Sequence, residues 1–281
     1  MYASKGPVVE EWADRRFFRP LGWRLATALL PTRLSADAVT LASLLLGVFA
    51  GHLFWYRSAW VNAAGVLLFI VSDVLDSVDG QLARLRGTST RMGRVLDGLA
   101  DGGRFLSLYG HLAARLYAAG HGWPGVLLAL AALLSHSYQA AAADFIRQAY
   151  LHFAVGEGSE FDITEAPAVG QSFRSRVSSW IYGDYLRRQA WLFPRTTALA
   201  RAYTGREVPL SLRHSWAERQ RGVVQGCAWI AQNIRFLLLA LTAVPHWPAA
   251  YCWIVVGPLN LVLVGLILAH EREPGLCIAA S

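Results

Sequence analysis

Long apolar runs joined by short polar connections set the pattern of this chain. Six runs reach the roughly twenty residues that a helix needs to cross the hydrocarbon core of a membrane. They occupy residues 37–56, 60–86, 92–119, 123–153, 223–244 and 248–270. The pattern predicts an all-α integral membrane protein with six transmembrane helices.

Ahead of the first run, apolar and charged side chains alternate over residues 8–30. The apolar positions include Val9, Trp12, Phe17, Leu21 and Leu25. This segment predicts an amphipathic helix that either lies on the inner leaflet or packs against cytoplasmic loops. The predicted organisation is an N-terminal interfacial segment, residues 1–34, followed by a transmembrane domain, residues 35–281.

A long polar connection interrupts the transmembrane domain at about residues 156–222. It opens with the acidic, turn-rich stretch GEGSEFDITEAP and continues with aromatic and basic residues. These are Trp180, Tyr182, Tyr185, Arg187, Arg188 and Trp191. Such a mixture predicts a cytoplasmic insertion with helices at the level of the lipid headgroups.

Positive charge is distributed unevenly over the connections. Only Arg57 lies between the first two runs, whereas four arginines cluster around the turn between the second and third, namely Arg84, Arg86, Arg91 and Arg94. Since basic residues collect on the cytoplasmic side, both termini are predicted to be cytoplasmic. The net charge of +7 accompanies 54% hydrophobic residues, which favours anionic lipid headgroups rather than nucleic acid as partners. The preference for Arg over Lys and the richness in Ala and Leu indicate a GC-rich prokaryotic genome. The predicted location is therefore a prokaryotic inner or plasma membrane.

Four aspartates lie inside the second and third runs. They are Asp76, Asp79, Asp97 and Asp101. An ionised carboxylate within a membrane span costs roughly 2.5–3.5 kcal/mol, so four of them require compensation. Residues three or four apart share one face of a helix, and a short polar turn joins the two runs. Because Asp76 and Asp101 are equidistant from that turn, as are Asp79 and Asp97, we expect two facing pairs of carboxylates.

Facing carboxylates are hard oxygen ligands of the kind that Mg²⁺ and Mn²⁺ prefer. We expect this acid set to hold two such ions, the arrangement that stabilises attacking and leaving oxygens in phosphoryl transfer. The small residues Gly80, Ala83 and Gly93 keep the space beside the acids open. Asp73, one turn before Asp76, either supports the ligands or faces a hydrated cavity.

The spacing of these residues resembles a known signature. It reads Asp76-x2-Asp79-Gly80-x2-Ala83-Arg84-x8-Gly93-x3-Asp97-x3-Asp101. Every fixed position is similar to the signature of the CDP-alcohol phosphotransferase family, whose members have six transmembrane helices and cytoplasmic termini. The resemblance extends from about residue 30 onward and is weak for the N-terminal helix and the long connection.

The resemblance implies roles for the acids. Asp76, Asp79 and Asp97 correspond to metal ligands, and Asp101 corresponds both to a ligand of the second ion and to the general base. In the family, that base takes the proton from the acceptor hydroxyl, which attacks the β-phosphorus of the CDP-alcohol and expels CMP.

The same resemblance implies a binding site for the CDP-alcohol. Gly80 and Arg84 correspond to positions that contact the diphosphate, and a guanidinium forms paired hydrogen bonds with phosphate oxygens. The other corresponding positions are Ala83, Thr90 and Gly93. Family members often carry Asn-x-x-Thr at the start of the first span, where this chain has Asp37 and Thr40. Asp37 therefore either binds the nucleotide or caps the helix.

Roles can also be predicted for other polar residues and for glycines in the apolar runs. Arg235 in the fifth run calls for an anionic partner and marks a candidate acceptor or phosphate site. His111 and His136 are interpreted as hydrogen-bonded helix contacts rather than as metal ligands. The pairs Gly47/Gly51 and Gly98/Gly102 predict close helix packing.

These observations predict a membrane-embedded, metal-dependent enzyme. It would move a phosphatidyl (phospho-alcohol) group from a CDP-alcohol, with CDP-diacylglycerol favoured, to the hydroxyl of a polar acceptor such as a polyol phosphate, releasing CMP. One alternative is an aminoalcohol phosphotransferase that uses CDP-choline or CDP-ethanolamine with diacylglycerol. Another is a divalent-cation transporter, but the acids cluster at one end of the spans, which favours the enzyme. The resemblance is also compatible with a homodimer.

Overall fold

The computed structural model describes Gly6 and residues 8–88, 91–156, 173–204 and 206–279. For residues 91–97, 173–182 and 273–279 it describes the backbone only. All regular structure in these ranges is helical, which confirms the predicted all-α class. A helix suits a membrane span because it satisfies its backbone hydrogen bonds within the segment.

The first part of the chain follows its predicted elements closely. A π-helical turn, Asp14–Phe18, leads into the first α-helix. The helices are α1 (Arg19–Leu29), α2 (Ala36–His52), α3 (Ala59–Leu85), α4 (Arg91–Leu116) and α5 (Gly122–Tyr150). The Oγ of Ser35 accepts from the N–H of Ala38 at 3.1 Å and so caps the N-terminus of α2.

Five segments are long and apolar enough to cross a membrane. One of them, Gly98–Val155, has 58 residues, which is enough for two spans. The chain turns at Gly120, whose φ of +93° is a conformation that glycine adopts without strain. The hydroxyl of Tyr109 lies 3.2 Å from Nδ1 of His136, so α4 and α5 fold back on each other. The six predicted spans are therefore recovered.

The long connection between the fourth and fifth spans contains two helices. They are α6 (Phe173–Leu192) and α7 (Pro194–Ala202). The acidic stretch predicted as turn-rich lies outside the described residues, as do the side chains of Trp180 and Tyr182. Trp191 is 74% exposed, in keeping with a helix that presents aromatic residues to its surroundings.

The last two spans are less regular than the sequence predicts. The fifth consists of α8 (Leu210–Gly226), a 3-10 turn (Cys227–Ile230) and α9 (Gln232–Thr242). The sixth consists of α10 (Pro248–Val256) and α11 (Pro258–Ala279). Pro258 accounts for the second break, because proline has no N–H to donate inside a helix.

The chain divides into two compact units. The first comprises Met1–His136 and Gln232–Pro258, and the second comprises Ser137–Ala231 and Leu259–Ser281. In the first unit, α2 packs against both α3 and α4, and α1 packs against α3. The four aspartates of the motif belong to α3 and α4, so the first unit contains the whole motif.

Glycine permits the close contact between α2 and α4. A Cβ at Gly51 would lie 2.7 Å from the backbone nitrogen of Leu108, so any larger residue would push the two helices apart. The packing predicted for Gly47/Gly51 is thereby confirmed. A Cβ at Gly98 or Gly102 would meet no described atom within 4 Å, so the packing predicted for this second pair stays a prediction. Among the described residues both glycines border open space on α4, beside Asp101.

The predicted N-terminal amphipathic helix is present and has two distinct sides. On one side a Cβ at Gly22 would lie 2.6 Å from the hydroxyl of Ser77, which shows how closely α1 approaches α3. On the other side Trp12 and Phe17 are 70% and 57% exposed. Exposed aromatic side chains on a helix that flanks membrane spans favour the membrane-surface alternative.

In the second unit, Glu271 closes the N-terminus of α7. Its carboxylate accepts from the N–H and the hydroxyl of Thr196, at 3.0 and 2.6 Å, and from the N–H of Arg195 at 2.7 Å. These amides are among the donors that a helix leaves unpaired at its first turn, and the helix dipole favours a negative charge there.

Replacing Glu271 with alanine is expected to lower the free energy of unfolding by about 2 kcal/mol or more, because hydrogen bonds to a buried charge are lost. Thermal unfolding in detergent, followed by circular dichroism, measures the effect. The matched control is Glu218→Ala on the exposed side of α8, which should leave the midpoint nearly unchanged. Equal midpoints for both variants would contradict the capping role.

Candidate active site

Two aspartates of the motif share one arginine. Asp76 on α3 accepts from Nη2 of Arg104 at 3.0 Å, and Asp101 forms an ion pair with the same nitrogen. The side chains of Asp76 and Asp101 are 24% and 47% exposed. The structure therefore brings together one of the two carboxylate pairs expected from the sequence, around a positive charge.

Arg104 reaches the acids from α4 through a gap left by a glycine. Its aliphatic carbons pass over Gly47 of α2 so closely that any Cβ there would overlap them. Its Nη1 donates to the hydroxyls of Ser43 and Ser72, at 3.3 and 3.0 Å. Each of these serines also donates to the other's carbonyl oxygen at 2.8 Å. Three helices thus hold one buried guanidinium.

Arg104 is not among the site residues predicted from the sequence. Its spacing of three from Asp101 places both residues on one helix face, and this was the available signal. The spacing could not reveal that Gly47, Ser43 and Ser72 form a channel for the arginine, because they lie on helices distant in sequence.

Asp79, the second acid on α3, is held by the first span. Thr40 Oγ1 donates to Asp79 Oδ2 at 2.5 Å, and Asp79 is only 5% exposed. The hydroxyl also approaches the carbonyl oxygen of Ala36 at 3.2 Å. Thr40 thus lies beside one of the acids, whereas the nucleotide contact that the resemblance implied for it stays a prediction.

Replacing Thr40 with valine is expected to lower turnover about tenfold, because a hydrogen bond to a charged acceptor contributes roughly 1.5–3 kcal/mol. Thr40→Ser keeps the donor and should retain most of the activity. The measurement is the initial rate of CMP release by purified protein in detergent. A valine variant as active as the serine variant would contradict a role for the hydroxyl.

Gly80 and Arg84 lie next to each other on α3. The nearest described atom to a Cβ built at Gly80 is Nη1 of Arg84, at 3.5 Å. A guanidinium therefore lies over a position without a side chain, which leaves room for a phosphate to approach both. Ala83 is half-buried on the same helix.

Asp37 is not the cap of α2. The cap is Ser35, and Asp37 lies exposed in the first helical turn. The capping alternative offered from the sequence is therefore wrong, because the helix begins one residue earlier than Asp37. Nucleotide binding by Asp37 stays a prediction.

Several predicted site residues fall outside the described part. Thr90 lies outside it altogether, and of Asp97 and Gly93 only the helical backbone is described. Within the described residues, no group of three or more acid, histidine or cysteine side chains has the spacing of a metal site. Asp76 and Asp101 nevertheless provide hard oxygen ligands on two sides of a positive charge, the guanidinium of Arg104.

Asp73 lies half-buried on α3, one turn before Asp76. It is within electrostatic reach of Asp76, Glu11 and Asp14. The amide of Asn233 donates to Glu11 and Asp14 at 2.8 and 3.0 Å. Asp73 therefore borders the N-terminal segment as well as the motif.

Arg235 is buried rather than placed on an open surface, with 1% of its area exposed. It is within electrostatic reach of Tyr109 and Tyr251, whose hydroxyls lie 3.3 Å apart. His136 bonds Tyr109, and His111 lies 2.7 Å from the carbonyl oxygen of Ser107. The interpretation of both histidines as helix contacts is confirmed, whereas an acceptor role for Arg235 stays a prediction.

Comparison with known proteins agrees with the motif. Residues 33–154 match the family model described as CDP-alcohol phosphatidyltransferase. A phosphatidylinositol phosphate synthase of Mycobacteroides abscessus is 34% identical over 132 residues, 43% of this chain and 53% of that protein. One of Mycobacterium marinum is 35% identical over 98 residues, 35% of this chain and 39% of that protein. The chain thus spans about half the length, or less, of these curated relatives.

The matched range runs from just before α2 to the end of α5 and contains all four aspartates, Arg84 and Arg104. The recognition made from the sequence is confirmed: residues 33–154 form a domain of the CDP-alcohol phosphatidyltransferase family.

Proposed function

We propose that this protein is a membrane-embedded, divalent-metal-dependent transferase. It moves the phosphatidyl group of CDP-diacylglycerol to the hydroxyl of a polyol phosphate and releases CMP. The observation that carries the proposal is the pairing of Asp76 and Asp101 around Arg104, within a matched CDP-alcohol phosphatidyltransferase domain.

Asp76, Asp79, Asp97 and Asp101 would hold two Mg²⁺ or Mn²⁺ ions. Carboxylate oxygens suit these ions, and the guanidinium between Asp76 and Asp101 supports the fit, because that gap already attracts positive charge. When bound, the ions would supply charge that offsets the negative diphosphate.

The protein's own groups account for binding and proton transfer. Arg84, over Gly80, pairs with diphosphate oxygens of the donor. Asp101, half-exposed beside open space at Gly102, takes the proton of the acceptor hydroxyl. The acceptor oxygen then bonds to the β-phosphorus as the bond to CMP breaks. Arg104 is a positioning residue that orients the Asp101 carboxylate through their ion pair.

The names of the relatives support the choice of acceptor. Both are phosphatidylinositol phosphate synthases, so inositol phosphate is the first polyol phosphate to test. The aminoalcohol alternative has no such support. We further propose that residues 1–34 and 35–281 are the functional divisions, that both termini and the acids face the cytoplasm of a prokaryotic cell, and that the enzyme is a homodimer.

The test is CMP release by purified protein in detergent. With CDP-diacylglycerol, Mg²⁺ and inositol phosphate we expect CMP and a phosphorylated lipid product; leaving out the acceptor, or adding a chelator, should abolish both. Mn²⁺ is compared with Mg²⁺ in the same assay. Release only with CDP-choline and diacylglycerol would favour the aminoalcohol alternative. Divalent-cation flux into proteoliposomes without any turnover would favour the transporter.

A further inference from the structure

The end of the first unit away from the acid pairs is free of acidic residues. Three connections meet there, residues 52–62, 109–125 and 242–250, and they contain no Asp or Glu. They do contain two arginines, Arg57 and Arg115, and four of the eight histidines. This end therefore attracts anions.

Arg115 is buried at this end and is held by two carbonyl oxygens and a histidine ring. Only 3% of it is exposed. Its Nη1 donates to the carbonyl oxygen of Phe54 at 3.1 Å and to Oδ1 of Asn62 at 2.7 Å. Its Nη2 lies 3.2 Å from Nδ1 of His246. Neither Arg115 nor Arg57 forms an ion pair with an acid within the described ranges.

Both arginines line one pocket of about 310 Å³. Its other lining residues are Trp55, Tyr56 and Ala118. Arg57 is exposed, and its guanidinium is fixed by a hydrogen bond of 2.9 Å from Nη2 to the carbonyl oxygen of Ala118. Two guanidinium groups on one pocket suit the oxygens of a phosphate, with which guanidinium forms paired hydrogen bonds.

Exposed aromatic side chains line the pocket or lie on the same three connections. Their exposed fractions are 40% for Trp55, 45% for Tyr56, 87% for Trp60, 68% for Trp123 and 65% for Trp247. Tryptophan and tyrosine collect at the level of lipid headgroups. A phosphate that reaches this pocket is therefore expected to carry acyl chains, which would lie along the apolar helices.

We propose that this pocket binds the phosphate of an anionic phospholipid, in the leaflet opposite to the one that the acid pairs face. The site is separate from the motif, because Asn62 and Asp76 are fourteen residues apart on α3, a distance of about 21 Å along a helix. The lipid would neutralise Arg115 and Arg57 and tie together the connections that meet there.

Native mass spectrometry of the detergent-purified protein with phosphatidylglycerol tests the proposal. We expect Arg57→Gln to weaken lipid retention about tenfold, because a charge-assisted contact is lost. The control is Arg187→Gln, an exposed arginine of α6 whose side chain is 67% exposed, which should retain lipid like the wild type. CMP release by Arg57→Gln should match the wild type, which establishes that the variant is folded and its motif intact.

Equal retention by Arg57→Gln and the wild type would overturn the proposal. Competition by millimolar inorganic phosphate would assign the pocket to a soluble anion and so overturn the lipid assignment. Retention of zwitterionic phosphatidylcholine as strong as that of phosphatidylglycerol would overturn the anionic preference. Loss of retention in Asp76→Asn but not in Arg57→Gln would place the lipid at the motif instead.

Discussion

Asp101→Asn is expected to lower the turnover number for CMP release by about 10²–10⁴-fold, the range attributed to a positioned general base. The amide cannot accept the proton of the acceptor hydroxyl, and it also loses the charge that pairs with Arg104. Initial rates at saturating CDP-diacylglycerol and acceptor measure the effect. The KM for CDP-diacylglycerol should change much less, because Arg84 and Gly80 remain.

The matched control is Asp184→Asn on α6, which also removes a carboxylate that pairs with arginine, Arg188, at 2.5 Å. That variant should keep close to wild-type turnover. Turnover by Asp101→Asn that equals that of the control would remove Asp101 from the role of base. It would leave the membership of residues 33–154 in the family unaffected.

Arg104→Ala is expected to lower the free energy of unfolding by about 3–5 kcal/mol, the effect of removing one partner of a buried ion pair. The variant leaves Asp76 and Asp101 without their shared cation and leaves the hydroxyls of Ser43 and Ser72 without a donor from α4. Thermal or urea unfolding in detergent measures the loss. Arg104→Lys retains the positive charge but loses the planar set of guanidinium donors. Its free energy of unfolding should therefore lie between that of the wild type and that of Arg104→Ala.

Arg187→Ala provides the control. This exposed arginine pairs with Asp184 at a long distance of 3.7 Å, so the pair should contribute less than about 1 kcal/mol to the free energy of unfolding. Added Mg²⁺ should stabilise Arg104→Ala more than the wild type, because the ion can neutralise the acids that the guanidinium no longer reaches. An unfolding midpoint of Arg104→Ala equal to that of Arg187→Ala would show that the buried network is not required for stability.

Most of the fold was predictable because a membrane imposes a simple rule on sequence. A run of about twenty apolar residues becomes a helix, since no other single segment satisfies its backbone in lipid. The bounds of α2 to α5 follow the predicted runs within a few residues for that reason. The breaks at Ala231 and Gly257 were not predicted, because hydropathy is the same on both sides of a break.

The candidate site was predictable only in part. The spacing of Asp76, Asp79 and Asp101 in the sequence identified the acids, because a helix converts intervals of three and four into one face. Thr40 entered as a nucleotide-binding position through the resemblance, and its hydrogen bond to Asp79 was found only in the structure. Close packing at Gly98 and Gly102 stays a prediction, because the GxxxG pattern does not say whether a second helix lies opposite it.

By itself, the sequence determined the helical class, the membrane spans and the family motif, since all three depend on spacing along the chain. Only the tertiary structure decided which cation the acids share. Arg104 reaches Asp76 because Gly47 has no side chain and because the hydroxyls of Ser43 and Ser72 accept hydrogen bonds from its Nη1. Those contacts join Arg104 to residues that lie 28 to 61 positions earlier in the chain. They form because α2 packs against α3 and α4, and no local pattern encodes them.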